Sequence, residues 1–460
     1  MAPAQSQQQY LEGSPLDADI YAVLILAAII VLVARRRPVI SLSQRNWPIL
    51  LFVLYCAVSI TWSDYPDVAL KRWIKSLGDY AMILILLTER DPTRAIKQVL
   101  ARVGFILIPV SILLIKYYPE WGRAYALHWE STQFFTGVTD NKNQLGMVCL
   151  VFGFYAYWRV LEAWRERTRN WGKSLVVHGA IIAMAVWLLQ LCDSKTSLSC
   201  LVLTIGLITA HAFWKMARSR AVLHVLVLAV ISICFSVLFL GIGSDALQTI
   251  GRNSTLTGRT DIWKILLTVP INPVVGTGFE SFWLGKRLDY LWSFPIVDGL
   301  VQAHDGYFDL YLNLGWLGVC FVGMLLWRGY RNVIRGLEQN PAMGRLRLGY
   351  IVIFLIYNFT EAAIRTSDLV WIGFLLAIAS VPQASENGPL YQRFRAVRAA
   401  SPLLEPRPVL LRPSECNQAH RGALRTSTCV EKGNTCGRKD MGPAFRKYAP
   451  PCICVLAGRV

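Results

Sequence analysis

Long apolar runs, recurring through most of the chain, leave it few folds to choose from. They read at roughly 18–34, 47–62, 72–88, 98–117, 144–162, 174–192, 197–214, 221–243, 308–327, 347–363 and 367–382. An apolar helix of about 20 residues crosses a hydrocarbon core of about 30 Å. In lipid, backbone groups must be satisfied within the segment, so each run is expected to be helical. Composition agrees: 54% of residues are hydrophobic, whereas soluble domains stay near about 45–50%. Mean hydropathy is +0.40. The expected fold is all-α: a polytopic transmembrane helical bundle of about 11 spans, with about 12 possible, and one large extracytoplasmic loop.

The formal net charge of +18 would suit nucleic acid if it formed one patch, but its placement excludes that partner. Lys and Arg collect in short joints between apolar runs, as membrane topology requires. Arg35, Arg36, Arg37 and Arg45 follow the first run, and Arg165, Arg167, Arg169 and Lys173 the fifth. Lys215, Arg218 and Arg220 follow the seventh; Arg328, Arg331, Arg335, Arg345 and Arg347 follow the ninth. Assigning these exits to the cytoplasm turns 63–71, 118–143, 193–196, 243–307 and 364–366 outward. The start is polar and acidic (Glu12, Asp17, Asp19), so the first run is expected to stay as a span.

Five regions follow. They are a polar N-terminal segment (1–17), spans one to eight (18–243), a large periplasmic loop (244–307), spans nine to eleven (308–382) and a basic tail (383–460). The tail, rich in Arg, Pro, Ser and Cys, is expected to be disordered and cytoplasmic. Of 11 cysteines, Cys56, Cys149, Cys192, Cys200, Cys234 and Cys320 lie in or beside apolar runs, where Cys packs as a small hydrophobe. The tail cysteines (Cys429, Cys436, Cys452 and Cys454, near His420) are spaced unlike a zinc site. No metal, cofactor or disulfide framework is expected.

The chemistry-bearing residues gather between Gly241 and Gly318. A polar segment this long is uncommon unless functional or disordered, and its Trp, Phe and Leu content argues for order. It holds Gly258-Arg259-Thr260-Asp261-Ile262-Trp263, then Asn272-Pro273…Gly276-Thr277-Gly278…Phe282-Trp283, then Ala303-His304-Asp305-Gly306-Tyr307…Leu314-Gly315. Upstream, Gly137…Asn141-Lys142-Asn143-Gln144-Leu145-Gly146 leads into a run. Near the end, Tyr357-Asn358-Phe359-Thr360-Glu361…Arg365 sets an acid and a base at an outer helix end. Ionisable groups at membrane depth default to function, yet Glu361 and Arg365 at i, i+4 equally suit a helix bridge. Asp79, inside the third run, lacks a local partner and is read as matched to a cation on another helix.

In this order and on one face, these elements resemble the signature of the O-antigen ligase/O-antigen polymerase superfamily. That family carries G-R-x-x-x-W, P-x-x-G-x-G and H-N-x-Y/F-L…G elements in its large outward loop, and K-N-x-x-G where a span begins. The resemblance covers the layout of about residues 40–380, although only the short motifs are diagnostic. It implies a glycosyltransferase of the lipid-dependent type, without metal or cofactor, in a bacterial inner membrane with its active site facing the periplasm. The implied donor is an undecaprenyl-diphosphate-linked oligosaccharide. The implied acceptor is a glycan or lipid A core, with other polysaccharide-assembly membrane proteins as neighbours.

The residue chemistry fits that implication. A diphosphate leaving group without a metal needs fixed cations, and the planar Arg fork binds two oxygens while never deprotonating. An acceptor hydroxyl loses its proton as it attacks, and His is poised near neutral pH to take it. The expected catalytic residues are therefore His304, as general base or acceptor-positioning group, and Arg259, on the diphosphate. The bland alternatives are a loop histidine bonding backbone and a solvated or headgroup-anchoring arginine.

The family's outward S-x-S-R-T turn is here Cys192-Asp193-Ser194-Lys195-Thr196. Lys195 still binds phosphate as a point charge but lacks the fork, and it equally suits snorkelling beside Asp193. Arg252, Lys142 and Lys286 are fallback cations; Glu361, Arg365 and Trp263 complete the substrate-binding candidates. Trp263, Phe282, Trp283, Tyr290 and Trp292 suit either sugar stacking or interfacial anchoring, and Gly276 and Gly278 a tight turn. Within the family reading, repeat-unit polymerase is favoured over ligase. The rival from another class, a flippase or transporter, would favour matched halves with mid-membrane charges, and none are evident.

Overall fold

The computed structural model describes residues 15–125, 133–167, 171–239 and 255–380. Arg252 and the Cys-bearing tail lie outside them. The described chain is helical almost throughout. Helix α1 (Pro15–Ala34) bends by 95° into α2 (Arg36–Arg45). There follow α3 (Trp47–Ser59), α4 (Pro66–Leu87), α5 (Pro92–Tyr117) and the single turn α6 (Pro119–Gly122). A two-stranded antiparallel ribbon, β1 (Arg123–Tyr125) with β2 (Gln133–Phe135), pairs Ala124 with Phe134 and is a small departure from the all-α expectation. Then come α7 (Lys142–Glu166), α8 (Trp171–Leu191), α9 (Lys195–Phe213) and α10 (Arg220–Phe239). The last are α11 (Thr255–Thr268), α12 (Gly285–Trp292), α13 (Gly306–Gln339), α14 (Pro341–Tyr357) and α15 (Leu369–Ile378).

Among the described residues, five helices (α5, α7, α8, α9 and α13) are long and apolar enough to cross a membrane, or six if the bent α1–α2 pair counts as one span. The other expected spans are helical but shorter or more polar. Helices α3, α10 and α15 are short apolar segments, α14 has 17 residues, and α4 carries Lys71, Arg72, Lys75 and Asp79.

Helix α7 forms the centre. Most of its residues from Leu145 to Trp158 are buried, and α5, α8, α9 and α14 pack around it. Lipid-facing surfaces keep their apolar side chains exposed, as on α1, where Val23, Leu26 and Ile30 are more than half accessible.

The two ends of the bundle differ in charge. At one end Arg345 makes a bidentate contact with Glu162 (both bonds 2.9 Å), Arg35 meets Glu89 at 2.7 Å, and Arg220 meets Glu338. Arg345 and Arg347 do not sit in a joint, as their place in the sequence implied, but inside α14. Arg347 donates to the Ala377 and Ala379 carbonyls, satisfying the C-terminal end of α15.

The Arg345–Glu162 pair is almost wholly buried. Removing one partner from such a pair strands a charge, at a cost of about 3–5 kcal/mol. Glu162→Ala is therefore expected to lower the unfolding temperature of the purified protein, and adding Arg345→Met to restore most of the loss. A melt of the three proteins in detergent checks this.

The segment after α10 is not an irregular loop where it is described. Helices α11 and α12 build a second apolar cluster from Ile262, Leu266, Phe282, Trp283, Leu288 and Leu291. This cluster locks onto α13 at a break. Gly315 adopts φ 64°, ψ −168° inside the helix, and the 273–278 turn inserts there. Trp316 and Leu317 donate their amides to Pro273 and Val274. In return Thr277 and Gly278 donate to Leu312 and Asn313. A Cβ on Gly276 would lie 2.5 Å from the Asn313 carbonyl, and one on Gly315 would strike the Val274 backbone. Both glycines have positive φ, which side-chain-bearing residues rarely adopt. The turn expected at Gly276 and Gly278 is present, and its purpose is close backbone approach to α13.

Candidate active site

Four helix caps fix the end of the bundle opposite the Arg345–Glu162 pair. Asn141 caps α7 by accepting the Gln144 amide at 2.9 Å, which presents Asn143 one residue into the helix. Asp305 caps α13 by accepting the Phe308 amide at 2.8 Å, which places His304 just ahead of the first turn. Asp368 caps α15 through the Val370 and Trp371 amides. Asn358, where α14 ends, accepts the Gly306 amide on its carbonyl at 2.8 Å and the Ala363 amide on Oδ1 at 3.0 Å. Asn358 thus ties the start of α13 to the non-helical 358–368 connection, and a Cβ on Gly306 would strike its side chain. His304 is held at φ +52°, a strained setting for a residue with a side chain and one that clusters at functional sites. The adjoining Ala303 amide donates to Asp309 at 3.2 Å, and the Ala303 carbonyl accepts the Trp263 indole N–H at 2.9 Å.

The result is a cluster centred on Glu361, whose side chain is only 10% accessible. Its Oε2 lies 3.4 Å from His304 Nδ1 and 3.5 Å from Gln302 Nε2. Its Oε1 lies 3.6 Å from Arg259 Nη2 and accepts from Asn143 Nδ2 at 3.2 Å. Gln302 Nε2 is 3.2 Å from His304 Nδ1, and its Oε1 accepts from Arg365 at 3.2 Å. That last bond orients the amide, since a guanidinium only donates. His304 Nδ1 is thus engaged inside the cluster, while Nε2 has no hydrogen-bond partner among the described residues.

Glu361, Arg365, His304 and Arg259 therefore come together, although they are distant in sequence. The i, i+4 bridge between Glu361 and Arg365 does not form, because residues 358–368 are not helical; each side chain turns to the 302–304 segment instead. Asp79 likewise has no helix cation as partner: its Oδ2 accepts the Ser367 amide at 2.7 Å.

The remaining candidates scatter. Lys195 opens α9, is half exposed and lies 3.9 Å from Asp193. Lys142 sits over the Phe134 ring at 5.0 Å. Trp263 braces the backbone before His304, and Phe282 and Trp283 are buried in the second cluster, so neither of these two offers a stacking surface. Gln302 was missed in the sequence, although a polar side chain two residues before His304 was the available signal. Arg72 and Glu280 were also missed. They line a cavity of about 60 Å³ beside Arg365, and no motif marks them.

Burial is the largest influence on the Asp305 carboxyl, pushing it from an ordinary 3.8 up to about 6 against the pull of the Phe308 and Tyr307 amides. A carboxyl that holds its proton more tightly when folded favours the fold fully below its unfolded pKa. That contribution is lost as pH rises from about 4 to about 6. Asp305→Asn keeps a good cap without the titration. The wild-type minus variant difference in melting temperature is expected to fall across pH 4 to 6 and then level off, as parallel melts would register.

Fold and cluster together define a multi-pass helical membrane protein that gathers Arg, Glu and His at one end of its bundle. Residues 179–323 match the family described as O-antigen ligase. The exopolysaccharide production protein ExoQ of Rhizobium meliloti (strain 1021) is 22% identical over 347 residues, covering 73% of this chain and 77% of that protein. On these findings the chain is similar to members of the O-antigen ligase/polymerase superfamily. The matched window includes Lys195, Arg259, Trp263 and His304 but ends before Glu361 and Arg365.

Proposed function

We propose that the protein is a glycosyltransferase that moves an oligosaccharide from undecaprenyl diphosphate to a glycan acceptor at the periplasmic face of the inner membrane. The observation that carries this is the convergence of His304 and Arg259, from two separate motifs, on the single carboxylate of Glu361. The orientation is supported by charge: Arg35, Arg165, Arg218, Arg220 and Arg345 make their contacts at the opposite ends of the helices, and basic residues favour the cytoplasmic side.

In this mechanism the Gln302 amide donates to Glu361 Oε2 rather than to His304 Nδ1, and Glu361 accepts the Nδ1 proton of His304, which fixes the tautomer and leaves the Nε2 lone pair as base. The acceptor hydroxyl oxygen attacks the anomeric carbon as Nε2 takes its proton. The bond from that carbon to the diphosphate oxygen breaks, and its electron pair leaves with the diphosphate. Arg259 stabilises the charge that develops there. At 3.6 Å its contact with Glu361 is long for a charge-assisted bond.

Repeat-unit polymerisation is favoured, because the relative's name concerns exopolysaccharide production. The ligase reading draws on the name of the matching family. A deletion strain separates these from a flippase. Lipid-linked single repeats accumulating outside the membrane fit a polymerase, complete chains left on the carrier fit a ligase, and repeats trapped inside would overturn the transferase reading.

A further inference from the structure

The Lys142-Asn143-Gln144-Leu145-Gly146 stretch opens α7, the helix at the centre of the bundle. Its cap comes from Asn141, whose side chain accepts the Gln144 amide at 2.9 Å, so the Asn143 side chain is not needed to start the helix. Gly146 lets the first turn close on the joint between α8 and α9, since a Cβ there would strike the Ser194 side chain. From Leu145 to Ala156 the helix is buried without a break. Asn143 therefore stands on a fixed base. Its half-buried amide turns to the carboxylate of the cluster, and Nδ2 donates to Glu361 Oε1 at 3.2 Å. A carboxylate only accepts, which sets the orientation of that amide.

The contacts to Glu361 divide between its two oxygens. Oε2 faces His304 Nδ1 at 3.4 Å and Gln302 Nε2 at 3.5 Å. Oε1 faces Asn143 at 3.2 Å and Arg259 at 3.6 Å. Arg259 has a second duty in the transfer reaction, on the diphosphate. When it turns there, Asn143 is the donor left on Oε1 among the described residues. A carboxylate only 10% accessible needs such donors to offset its desolvation. It also sits on a long side chain in a non-helical connection. Held by nothing on Oε1, it would swing after the guanidinium and take Oε2 off the imidazole.

We propose that Asn143 is a positioning residue for the transfer reaction: it pins Glu361 Oε1, so that Oε2 stays against His304 Nδ1 while Arg259 serves the diphosphate. The assignment rests on the transferase reading above and extends it by giving the start of α7 a part. Asn143 acts on the base through Glu361.

The test is a double-mutant cycle with Glu361→Gln, run on full-length protein in nanodiscs with the lipid-linked repeat of a deletion strain as donor. Asn143→Ala should lower kcat about 10- to 10²-fold, as loss of a hydrogen bond to a charged group does, with both KM values near wild type. Alanine favours the helix and the Asn141 cap is untouched, so the melting temperature should hold. In the Glu361→Gln background the same change should cost less than about twofold, because the group it acts through is gone. Asn143→Asp, which keeps the shape but sets a second acid against Oε1, should lower kcat at least as far as alanine does. Equal losses in the two backgrounds, a raised acceptor KM with kcat unchanged, or a collapsed melt would overturn the assignment.

Nitrogen NMR of histidine-labelled protein reads the same contact without turnover. The His304 signal, assigned by its loss in His304→Ala, should report the Nδ1–H tautomer in wild type and in Arg259→Ala. Adding Asn143→Ala to Arg259→Ala should give a mixture of tautomers, and an unchanged signal would overturn the positioning role. A protein that shows this change but transfers no sugar would sink the transferase reading and leave the hold of Asn143 on Glu361 standing.

Discussion

His304→Ala is expected to cut glycan transfer by about 10²- to 10⁴-fold, the usual contribution of a positioned general base, while leaving insertion and melting temperature near wild type. The fold does not depend on the imidazole, which is partly exposed and outside both apolar clusters. The turn around it is held by Asp305, Asp309, Trp263 and Asn358 through backbone groups. The assay is elongation of a lipid-linked oligosaccharide by purified protein, with donor varied to separate kcat from KM. Transfer at the wild-type rate would remove the base assignment. A collapsed melt would instead make His304 a structural residue.

Much of the fold was legible in the sequence, because membrane helices declare themselves by length and hydropathy. What hydropathy does not report is how a helix ends or bends. The 95° turn between α1 and α2 and the break at Gly315 depend on local backbone geometry and on a partner segment remote in sequence. The glycines of the 273–278 turn were readable as a turn, but their pairing with Gly315 was not, since neither element implies the other. The candidate site divides in the same way. His304 and Arg259 stood out because of their motifs. Glu361 was visible as an expensive charge at a helix end, yet its spacing from Arg365 pointed to a helix bridge. Only the non-helical connection after Tyr357 turns it toward His304. Arg72 looks like one more basic residue on a charged helix, and its cavity exists only once the 279–283 and 362–366 segments are packed against it.

Glu361→Gln tests whether the carboxylate tunes the base or merely braces the loop. The amide keeps the volume and one acceptor but cannot balance an imidazolium, and it can present an N–H where His304 needs an acceptor. Loss of the charge is expected to lower kcat by about 10²- to 10⁴-fold. The acceptor KM should change little, because the residue faces His304 and Arg259 from within the cluster. Arg259 would also lose its competing partner, so the donor KM should hold or decrease. Glu361→Asp, which retains the charge but shortens the reach, should recover part of the rate. A brace with no part in the chemistry would behave differently: glutamine would cost melting temperature, and the surviving protein would turn over near the wild-type rate. That outcome would take Glu361 out of the mechanism and leave His304 without the group proposed to fix its tautomer.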